Sequence, residues 1–278
     1  MTKMKNTIAI QGAKGSNHHK VAKDFYGEEM LLKECMSFDA LVNALLTENA
    51  TQGIMAIENT IAGSIIPNYA LIDANNLHIC GEEYLSIHHH LMALNGQKIE
   101  DIKEVCSHPM ALLQCKEFFK KYPQIKLVED VDTAEVAKRI AENQLKGVAA
   151  IAPKIAADIF GLHILEDNIQ TIKDNATRFV IVQTKKPNNG IDQVNKASLK
   201  FELDHKRGSL AAILNVLSDC KMNLTKIQSL PVIESPWKYA FFVDVTFDAL
   251  TDYEKAIAII KIMAEEFKIL GTYKNGRK

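Results

Sequence analysis

Apolar and polar residues follow two different periods along the first 180 residues, and the two periods alternate. Short apolar runs that are typical of buried strands occupy Thr7–Gln11, residues 53–57, 86–94 and 147–151, and a further run that ends at Val105. Apolar residues at helical spacing predict helices over Phe38–Leu46, residues 65–72, 107–121 and 153–160, and one that starts near Asp132. Repeated strand–helix alternation predicts an α/β fold with a mainly parallel sheet.

Local signals mark the ends of several of these helices. Pro67 fits the first turn of the helix over residues 65–72, and Ser107 is the predicted N-cap of the helix over residues 107–121. Asp132 and Glu135 have the spacing of a capping box. Gly161 is predicted to end the helix over residues 153–160.

The pattern changes after residue 184. Residues 185–196 are polar, contain Pro187 and Gly190, and show no periodicity, which predicts a linker. The following residues predict strands over 198–203, 223–232, 239–246 and 269–273, with one helix after the first strand and another before the last. This βαββαβ order predicts a ferredoxin-like domain over residues 197–278.

Composition narrows the class of protein. The 278 residues carry 33 Lys+Arg and 34 Asp+Glu, so a net charge of −1 gives no reason to expect a nucleic-acid or membrane partner. The five cysteines are scattered, which is typical of free thiols in a reducing compartment. The first apolar run, Ile8 to Ile10, is too short for a signal-peptide core, and a cytoplasmic location is expected.

Chemistry-bearing residues cluster at the predicted strand that begins near Asn175. Thr177 can donate a hydrogen bond, Arg178 can fork onto a carboxylate, and Phe179 can face a ring. Together they suit a small aromatic-like anion. A surface hydroxyl, a solvated charge and a core aromatic residue are the alternative for the same three positions.

Two further segments follow the carboxyl ends of predicted strands, where ligands bind in open α/β sheets. The first offers Glu58 for proton transfer and neutral hydrogen bonds from Asn59, Thr60 and Ser64; a simple turn that caps the next helix remains open. In the second segment Ser107 begins a helix, whose N-terminus attracts anions, and Gln114 follows two turns later. An ordinary N-cap and a surface amide remain open for this pair.

Three other features of the sequence could carry chemistry. Gly12 to Lys20 forms a glycine-containing turn after a strand, suited to close approach of a ligand but unlike a nucleotide-binding motif. His88, His89 and His90 resemble a metal site, but strand alternation predicts that His89 points away from the other two. Nothing indicates a reactive thiolate at the cysteines beside His108.

In order along the chain, these segments resemble bacterial prephenate dehydratase with a C-terminal ACT regulatory domain. The resemblance rests on Glu58-Asn59-Thr60, Gly63-Ser64, Ser107-His108-Pro109, Gln114-Cys115 and Thr177-Arg178-Phe179, and on Gly208-Ser209-Leu210 and Asn223-Leu224-Thr225 near the C-terminus. It implies a catalytic region like a type II periplasmic binding protein over residues 1–184, with lobes at about 1–84 with 165–184 and at about 85–164. It also implies that the ferredoxin-like domain is an ACT domain.

The resemblance implies decarboxylating dehydration of prephenate to phenylpyruvate in phenylalanine biosynthesis, without a metal or organic cofactor. It implies that Thr177 contacts the leaving hydroxyl and that Glu58 is the source of the proton. Substrate-binding residues are then Asn59, Thr60, Ser64, Ser107, Gln114, Arg178 and Phe179. Allosteric phenylalanine contacts fall on Gly208, Ser209, Leu210, Asn223, Leu224, Gln228 and Ser229, in a homodimer or homotetramer.

Two departures from the family pattern and two rival functions accompany this expectation. Asn17 and His18 replace an aromatic and a small hydroxyl residue in the glycine-containing turn, and Gln228 and Leu230 replace the two charged residues of a family motif in the ACT domain. Arogenate is the alternative substrate. A non-catalytic amino-acid-sensing or solute-binding protein is the alternative class.

Overall fold

The structure is a computed structural model that describes residues 6–186, 194–204, 206–232 and 238–277. The chain divides into two compact units. The first unit comprises the chain up to Gly63 together with Tyr84–Phe179, and the second comprises Ser64–Glu83 and the chain from Val180 onward. Each unit is described by itself below.

Most elements of the first half follow the predicted alternation. The strands are β1 (Thr7–Gln11), β2 (Leu31–Cys35), β3 (Gln52–Asn59), β4 (Gly63–Ser64), β5 (His78–Ser86), β6 (His90–Ala93), β7 (Glu104–Ser107), β8 (Lys126–Glu129), β9 (Val148–Ala152), β10 (His163–Glu166) and β11 (Ala176–Gln183). The helices are α1 (Asn17–Tyr26), α2 (Phe38–Leu46), α3 (Ile66–Ala74), α4 (Pro109–Phe119), α5 (Thr133–Glu142) and α6 (Lys154–Phe160), with a short 3₁₀ helix at Ile99–Asp101.

Two sheets carry these strands. The first has the order β2-β1-β3-β11-β5, with β4 beside β3, and the pairs β1–β2 and β1–β3 are parallel. The second has the order β10-β6-β9-β7-β8, in which β7 pairs in parallel with β8 and β9 while β6 is antiparallel to β9 and β10. The predicted α/β class is confirmed, and the second sheet is mixed rather than parallel throughout.

Helix ends in the second sheet's layer show how local sequence sets the elements. The Asp132 carboxylate accepts the backbone N–H groups of Ala134 and Glu135 at 2.9 Å each, as its predicted capping role requires. Gly161 ends α6 in the left-handed conformation with φ of 66°, which a glycine adopts without a Cβ penalty. α5 buries Ala134, Val136, Ala137 and Ile140 against the sheet.

One predicted element is wrong. Residues 86–94 do not form a single strand, because the chain leaves β5 at Ser86 and enters β6, in the other sheet, only at His90. The backbone between them bonds outside both sheets: Ile87 N–H donates to Asn175 O at 2.7 Å, and His89 O accepts from Ile169 N–H at 2.8 Å. Strand alternation therefore does not apply to His88 and His89, and His89 and His90 are both buried.

The C-terminal residues form the predicted ferredoxin-like domain. Its elements are β12 (Lys196–Glu202), α7 (Ser209–Asp219), β13 (Asn223–Pro231), β14 (Tyr239–Thr246), α8 (Leu250–Met263) and β15 (Glu266–Tyr273). The antiparallel sheet has the order β13-β14-β12-β15. Leu199, Phe201 and Val245 pack with Ile213, Ile257 and Ile260 of the two helices in one core.

The second unit joins this domain to α3 and most of β5. Lys268 Nζ donates to the Asp73 carboxylate at 2.8 Å, and Lys200 Nζ lies 2.9 Å from the same carboxylate. A Cβ on Gly271 would lie 2.0 Å from Ile79 O, so only glycine permits this approach of β15 to β5. Ser64–Glu83 thus packs with the C-terminal domain.

The predicted domain boundaries, 1–184, 185–196 and 197–278, stay a prediction. Residues 187–193 of the predicted linker lie outside the described residues. The last residue of that linker, Lys196, already pairs in β12 with Thr246 and Tyr273. Within the described ranges, no helix has the length and apolar character needed to cross a bilayer.

Candidate active site

A hydrogen-bonded network in the first unit connects side chains from distant parts of the sequence. It runs from Thr177 through Asn59 and Asn175 to Gln114 and His89, and every link is between 2.7 and 3.0 Å long. Asn59 ends β3, Thr177 lies near the start of β11, and Gln114 lies on α4. Three of the segments selected from sequence therefore meet in one place.

Asn59 has all its hydrogen-bonding capacity engaged. Its Oδ1 accepts the backbone N–H groups of Ile61 at 3.0 Å and Ala62 at 2.9 Å. Its Nδ2 donates to Asn175 Oδ1 at 2.7 Å and to Thr177 Oγ1 at 2.9 Å. An amide has two donor hydrogens and two acceptor lone pairs, so these four bonds use all of them. The predicted contact of Asn59 with substrate stays a prediction.

The hydrogen bond from Asn59 leaves the Thr177 hydroxyl as a donor. Its Oγ1 receives the Asn59 N–H, so the hydroxyl hydrogen is directed to another acceptor. Donation into Oγ1 also polarises the O–H bond and makes the hydroxyl a better donor. Thr177 is 8% exposed, in keeping with a hydroxyl that is reached from one side only.

Thr60 fixes the register between the two strand ends. Its backbone N–H donates to Ala176 O, and its Oγ1 accepts the Ala176 N–H, both at 2.9 Å. The Thr60 hydroxyl is thereby committed to the backbone as an acceptor. Its predicted role in substrate binding stays a prediction.

Gln114 presents donors only. Its Oε1 accepts from Asn175 Nδ2 at 3.0 Å and contacts His89 Nε2 at 2.8 Å. A carbonyl oxygen cannot donate, so His89 carries its proton on Nε2. Both lone pairs of Gln114 Oε1 are then occupied, and its two N–H groups remain for a ligand.

Asn175 and His89 were not selected as site residues from the sequence. Asn175 stands two positions before Thr177. Only the structure shows that it is 2% exposed, and a buried amide needs internal partners. His89 was noted only as part of a discounted metal site. Its real partner, Gln114, lies 25 positions away and no local pattern indicates it.

Glu58 and Arg178 leave their strands on the other face. Successive side chains of a strand point to opposite sides, so Glu58 points away from Asn59 and Arg178 away from Thr177. Glu58 is half-buried and Arg178 is 4% exposed. Proton donation by Glu58 and carboxylate binding by Arg178 stay predictions.

Phe179 packs into the core beside a buried histidine. It is 1% exposed, and its ring lies edge-on to His18 with the ring centroids 5.0 Å apart. His18 also contacts Phe38 at 5.7 Å. Burial lowers the pKa of His18 to about 3, so the imidazole is neutral. A direct contact between Phe179 and substrate stays a prediction.

His18 gives the fold an acid sensitivity that can be measured. The pKa of His18 is about 3 in the folded protein and 6.5 in the unfolded chain, so the unfolded chain binds more protons between these two pH values. The free energy of unfolding therefore decreases as the pH is lowered from about 6.5 towards 3. When the pH is lowered from 7.5 to 5, the free energy of unfolding of His18→Leu should decrease by about 2 kcal/mol less than that of the wild type. Urea titrations at both pH values test this, and equal losses would contradict it.

Ser107 is placed differently from the prediction. The N-cap of α4 is His108, whose Nδ1 accepts the Met110 N–H at 3.2 Å, whereas Ser107 is the last residue of β7. The capping prediction for Ser107 is therefore wrong, because the strand continues two residues further than expected, to Ser107. Ser107 is fully buried and its Oγ donates to Ile151 O at 2.7 Å, which leaves the hydroxyl only as an acceptor.

Ser64 belongs to the second compact unit. Lys226 Nζ lies 2.6 Å from its Oγ and donates to it. The structure thus connects this serine with β13 of the C-terminal domain. Its predicted contact with substrate stays a prediction.

The glycine-containing turn packs tightly against the helices of the second sheet. Gly12 has φ of 87°, and a Cβ there would lie 2.5 Å from the Asp132 carboxylate. Gly15 has φ of 99°, and a Cβ there would lie 3.2 Å from Ala156 Cα. Ser16 caps α1 by accepting the His19 N–H at 3.3 Å. The glycines serve close packing at this turn.

The two cysteines that follow or precede the predicted site residues in sequence are unreactive thiols. Burial raises the pKa of Cys106 to about 11 and that of Cys115 to about 12, so both stay protonated thiols at neutral pH. In the described part of the chain, no group of three or more His, Cys, Asp or Glu residues is arranged to hold a metal ion.

The predicted allosteric residues occupy two places in the C-terminal domain. Gly208, with φ of 86°, precedes α7, and Ser209 and Leu210 line a cavity of about 110 Å³ together with Tyr239 and Phe241. The others, Asn223, Leu224, Gln228 and Ser229, lie on β13, which is an edge strand of the sheet.

Comparison with known proteins gives a consistent family. The sequence model of the prephenate dehydratase family matches residues 8–187. Arogenate dehydratase 2 of Petunia hybrida is 36% identical over 96% of this chain and 71% of its own length. These matches include every segment that contributes to the network.

Two solved structures share the fold over nearly the whole chain. One is described as GqqA, a novel type of quorum quenching acylase, with a TM-score of 0.86, 26% identity, and coverage of 97% of this chain and 98% of that one. The other is prephenate dehydratase from Arthrobacter aurescens in complex with L-Phe, with a TM-score of 0.85, 23% identity, and coverage of 97% and 90%. Because the family model covers residues 8–187 and a relative of 36% identity aligns with nearly the whole chain, the chain belongs to the prephenate dehydratase family.

Proposed function

We propose that this protein converts prephenate to phenylpyruvate, carbon dioxide and water in the biosynthesis of phenylalanine. The observation that carries the proposal is the hydrogen bond from Asn59 Nδ2 to Thr177 Oγ1 at 2.9 Å, between residues 118 positions apart. It directs a hydroxyl donor out of a network that is otherwise internally satisfied.

The reaction requires the protein to position the substrate and to supply a hydrogen-bond donor to the leaving hydroxyl. The electron pair of the bond to the ring carboxylate moves through the cyclohexadiene and expels the ring hydroxyl, so the ring becomes aromatic as carbon dioxide leaves. One proton is consumed, and it leaves with the hydroxyl as water. Thr177 donates its hydrogen bond to that hydroxyl as charge develops on it. A threonine hydroxyl is too weak an acid to be the ultimate source. The family resemblance assigns that role to Glu58, although strand alternation directs its side chain to the opposite face of β3 from Asn59.

Substrate binding requires donors for two carboxylates. Gln114 offers two N–H groups and no free carbonyl lone pair, which suits an anionic oxygen. Arg178 is the proposed partner of the second carboxylate, although strand alternation directs its side chain to the opposite face of β11 from Thr177. Ser107 can only accept, so it suits a substrate hydroxyl better than a carboxylate.

Arogenate is the second candidate substrate, because the Petunia relative is named as an arogenate dehydratase. Arogenate carries an amino group where prephenate has a keto group, and the reacting ring is the same. The same Thr177 chemistry serves both, so the difference lies in the groups around the side chain of the substrate.

The structural neighbour GqqA is described as an acylase, but neither Cys106 nor Cys115 is suited to be the nucleophile of such an activity. Amide hydrolysis needs an activated nucleophile, and the raised pKa values of Cys106 and Cys115 keep both thiols protonated. Elimination from a ring needs no nucleophile from the protein.

Purified protein incubated separately with prephenate and arogenate tests the proposal. Absorbance follows phenylpyruvate, mass spectrometry follows phenylalanine, and a mock purification from host cells without the gene controls for a contaminating host enzyme. Phenylpyruvate from prephenate is expected at a rate well above that control. Phenylalanine from arogenate alone would replace the substrate, and neither product above the control level would favour a non-catalytic binding protein.

Regulation by phenylalanine is proposed as part of the same function, through the C-terminal domain as an ACT domain. The cavity beside Ser209 and Leu210 holds about 110 Å³, which is smaller than the roughly 300 Å³ or more of a usual ligand cavity. A second subunit would have to complete it, in a homodimer or homotetramer. Titrating phenylalanine while recording activity, melting temperature and mass in solution tests this; a protein that shows no response has no such site.

A cytoplasmic location completes the proposal. The cysteines are thiols, none of them in a disulfide. Thiols persist in a reducing compartment.

A further inference from the structure

His89 lies at one end of the hydrogen-bonded network, and the proposed chemistry assigns it no role. Its Nε2 lies 2.8 Å from Gln114 Oε1, and the ring is nearly out of solvent at 5% exposure. Its backbone is anchored on both sides, since its N–H donates to Gln170 Oε1 at 3.0 Å and its carbonyl accepts from Ile169 N–H at 2.8 Å. The backbone of His89 therefore fixes the position from which its ring contacts Gln114.

The amide of Gln114 has two orientations of nearly equal shape but opposite function. With Oε1 toward His89 and Asn175, the NH₂ group is left for a ligand. With the amide turned over, Oε1 would face the ligand and its lone pairs would repel a carboxylate. The N–H groups of Asn175 Nδ2 and His89 Nε2 both stabilise the first orientation, because each donates to Gln114 Oε1.

We propose that His89 is a positioning residue: its Nε2–H, together with Asn175, locks the Gln114 amide so that only N–H groups face the anionic substrate. This proposal rests on the proposed function, and it adds a residue that does not itself touch substrate. The reacting atoms are served by Thr177, and His89 acts on the orientation of a binding group.

Burial keeps the imidazole in the form that this role needs. The Nδ1 atom is buried and has no hydrogen-bond partner in the described part of the chain, so a proton there would be left unsatisfied. Burial lowers the pKa of His89, and this outweighs the opposite effect of the hydrogen bond to Gln114. The ring is thus neutral at neutral pH, with its single proton on Nε2.

Two amide substitutions separate positioning from packing. The amide nitrogen of glutamine takes nearly the place of histidine Nε2, whereas that of asparagine takes the place of Nδ1 and cannot reach Gln114. His89→Gln should keep kcat/KM within about 3-fold of the wild type, and His89→Asn should lower it by ~10-fold or more, mainly through KM, the scale of one binding hydrogen bond. Equal losses in both variants, in step with equal losses of melting temperature, would mean that the ring only packs.

A double-mutant cycle tests the route of the effect. In a Gln114→Ala background there is no amide to orient, so His89→Asn should cause less than about 2-fold further loss. Full additivity of the two losses would overturn the proposal.

One measurement is independent of turnover. Nitrogen-15 NMR of labelled histidine should show His89 neutral and protonated at Nε2 at pH 7, with a changed Nε2 shift in Gln114→Ala. A proton on Nδ1 would overturn the proposal even in an active enzyme. If the wild type used neither substrate but the NMR result held, the proposed function alone would fail.

Discussion

Replacing Thr177 by alanine is expected to lower kcat by ~10²-fold or more, the scale of a lost acid–base contact. The substitution removes the hydroxyl that accepts a hydrogen bond from Asn59, and this hydroxyl is the proposed donor to the leaving hydroxyl of the substrate. The fold should survive, because the remaining network still holds Asn59, Asn175 and Gln114 together. Steady-state kinetics with the preferred substrate, alongside thermal melting, measure both effects.

Thr177→Ser is the matched control for this prediction. Serine keeps the oxygen that accepts from Asn59 and the hydrogen that is donated onward, and it loses only a methyl group. We expect it to retain much more activity than the alanine variant. Near-normal turnover in Thr177→Ala, or equal loss in both variants, would remove Thr177 from the chemistry.

Breaking the buried ion pair of the second unit should have the largest effect on stability. Lys196 Nζ lies 2.8 and 2.9 Å from the two carboxylate oxygens of Glu82, and the two side chains are 2% and 0% exposed. Gly276 N–H also donates to Glu82 Oε1 at 2.9 Å. In Glu82→Gln the lysine charge stays buried with its carboxylate gone, which costs about 3–5 kcal/mol. Urea unfolding at neutral pH measures the loss.

A second substitution shows whether the lost charge balance is the cause. Lys196→Met added to Glu82→Gln removes the buried charge that Glu82 balanced, while the glutamine oxygen still accepts from Gly276, so most of the stability should return. Lys154→Met, in an exposed pair with Asp158, should leave the melting temperature unchanged. A double variant as unstable as Glu82→Gln would locate the effect in lost packing.

Several elements follow from residues that are close in sequence. The apolar spacing of Phe38–Leu46 and the Asp132 carboxylate before α5 specify those helices, because capping and helical periodicity act within one or two turns. The βαββαβ order of the C-terminal domain follows in the same way from its alternating runs.

Errors arise where the chain changes partners. Residues 87–89 have strand-like composition, yet they cross between sheets and bond to the segment around Ile169–Gln170 and Asn175. The position of the α4 cap depends on where β7 ends, and Ser107 and His108 are both capable of capping. Periodicity contains no information about either choice.

By itself, the sequence determined the α/β class, the ferredoxin-like domain and the residues Asn59, Gln114 and Thr177 as site candidates, because each depends on local patterns or on short motifs. Only the tertiary structure decided that Asn59 is saturated, that Asn175 and His89 belong to the network, and that Ser64–Glu83 packs with the C-terminal domain. Hydrogen bonds are short and directional, so their partners across more than a hundred positions are set by how the sheets and helices pack and not by spacing along the chain.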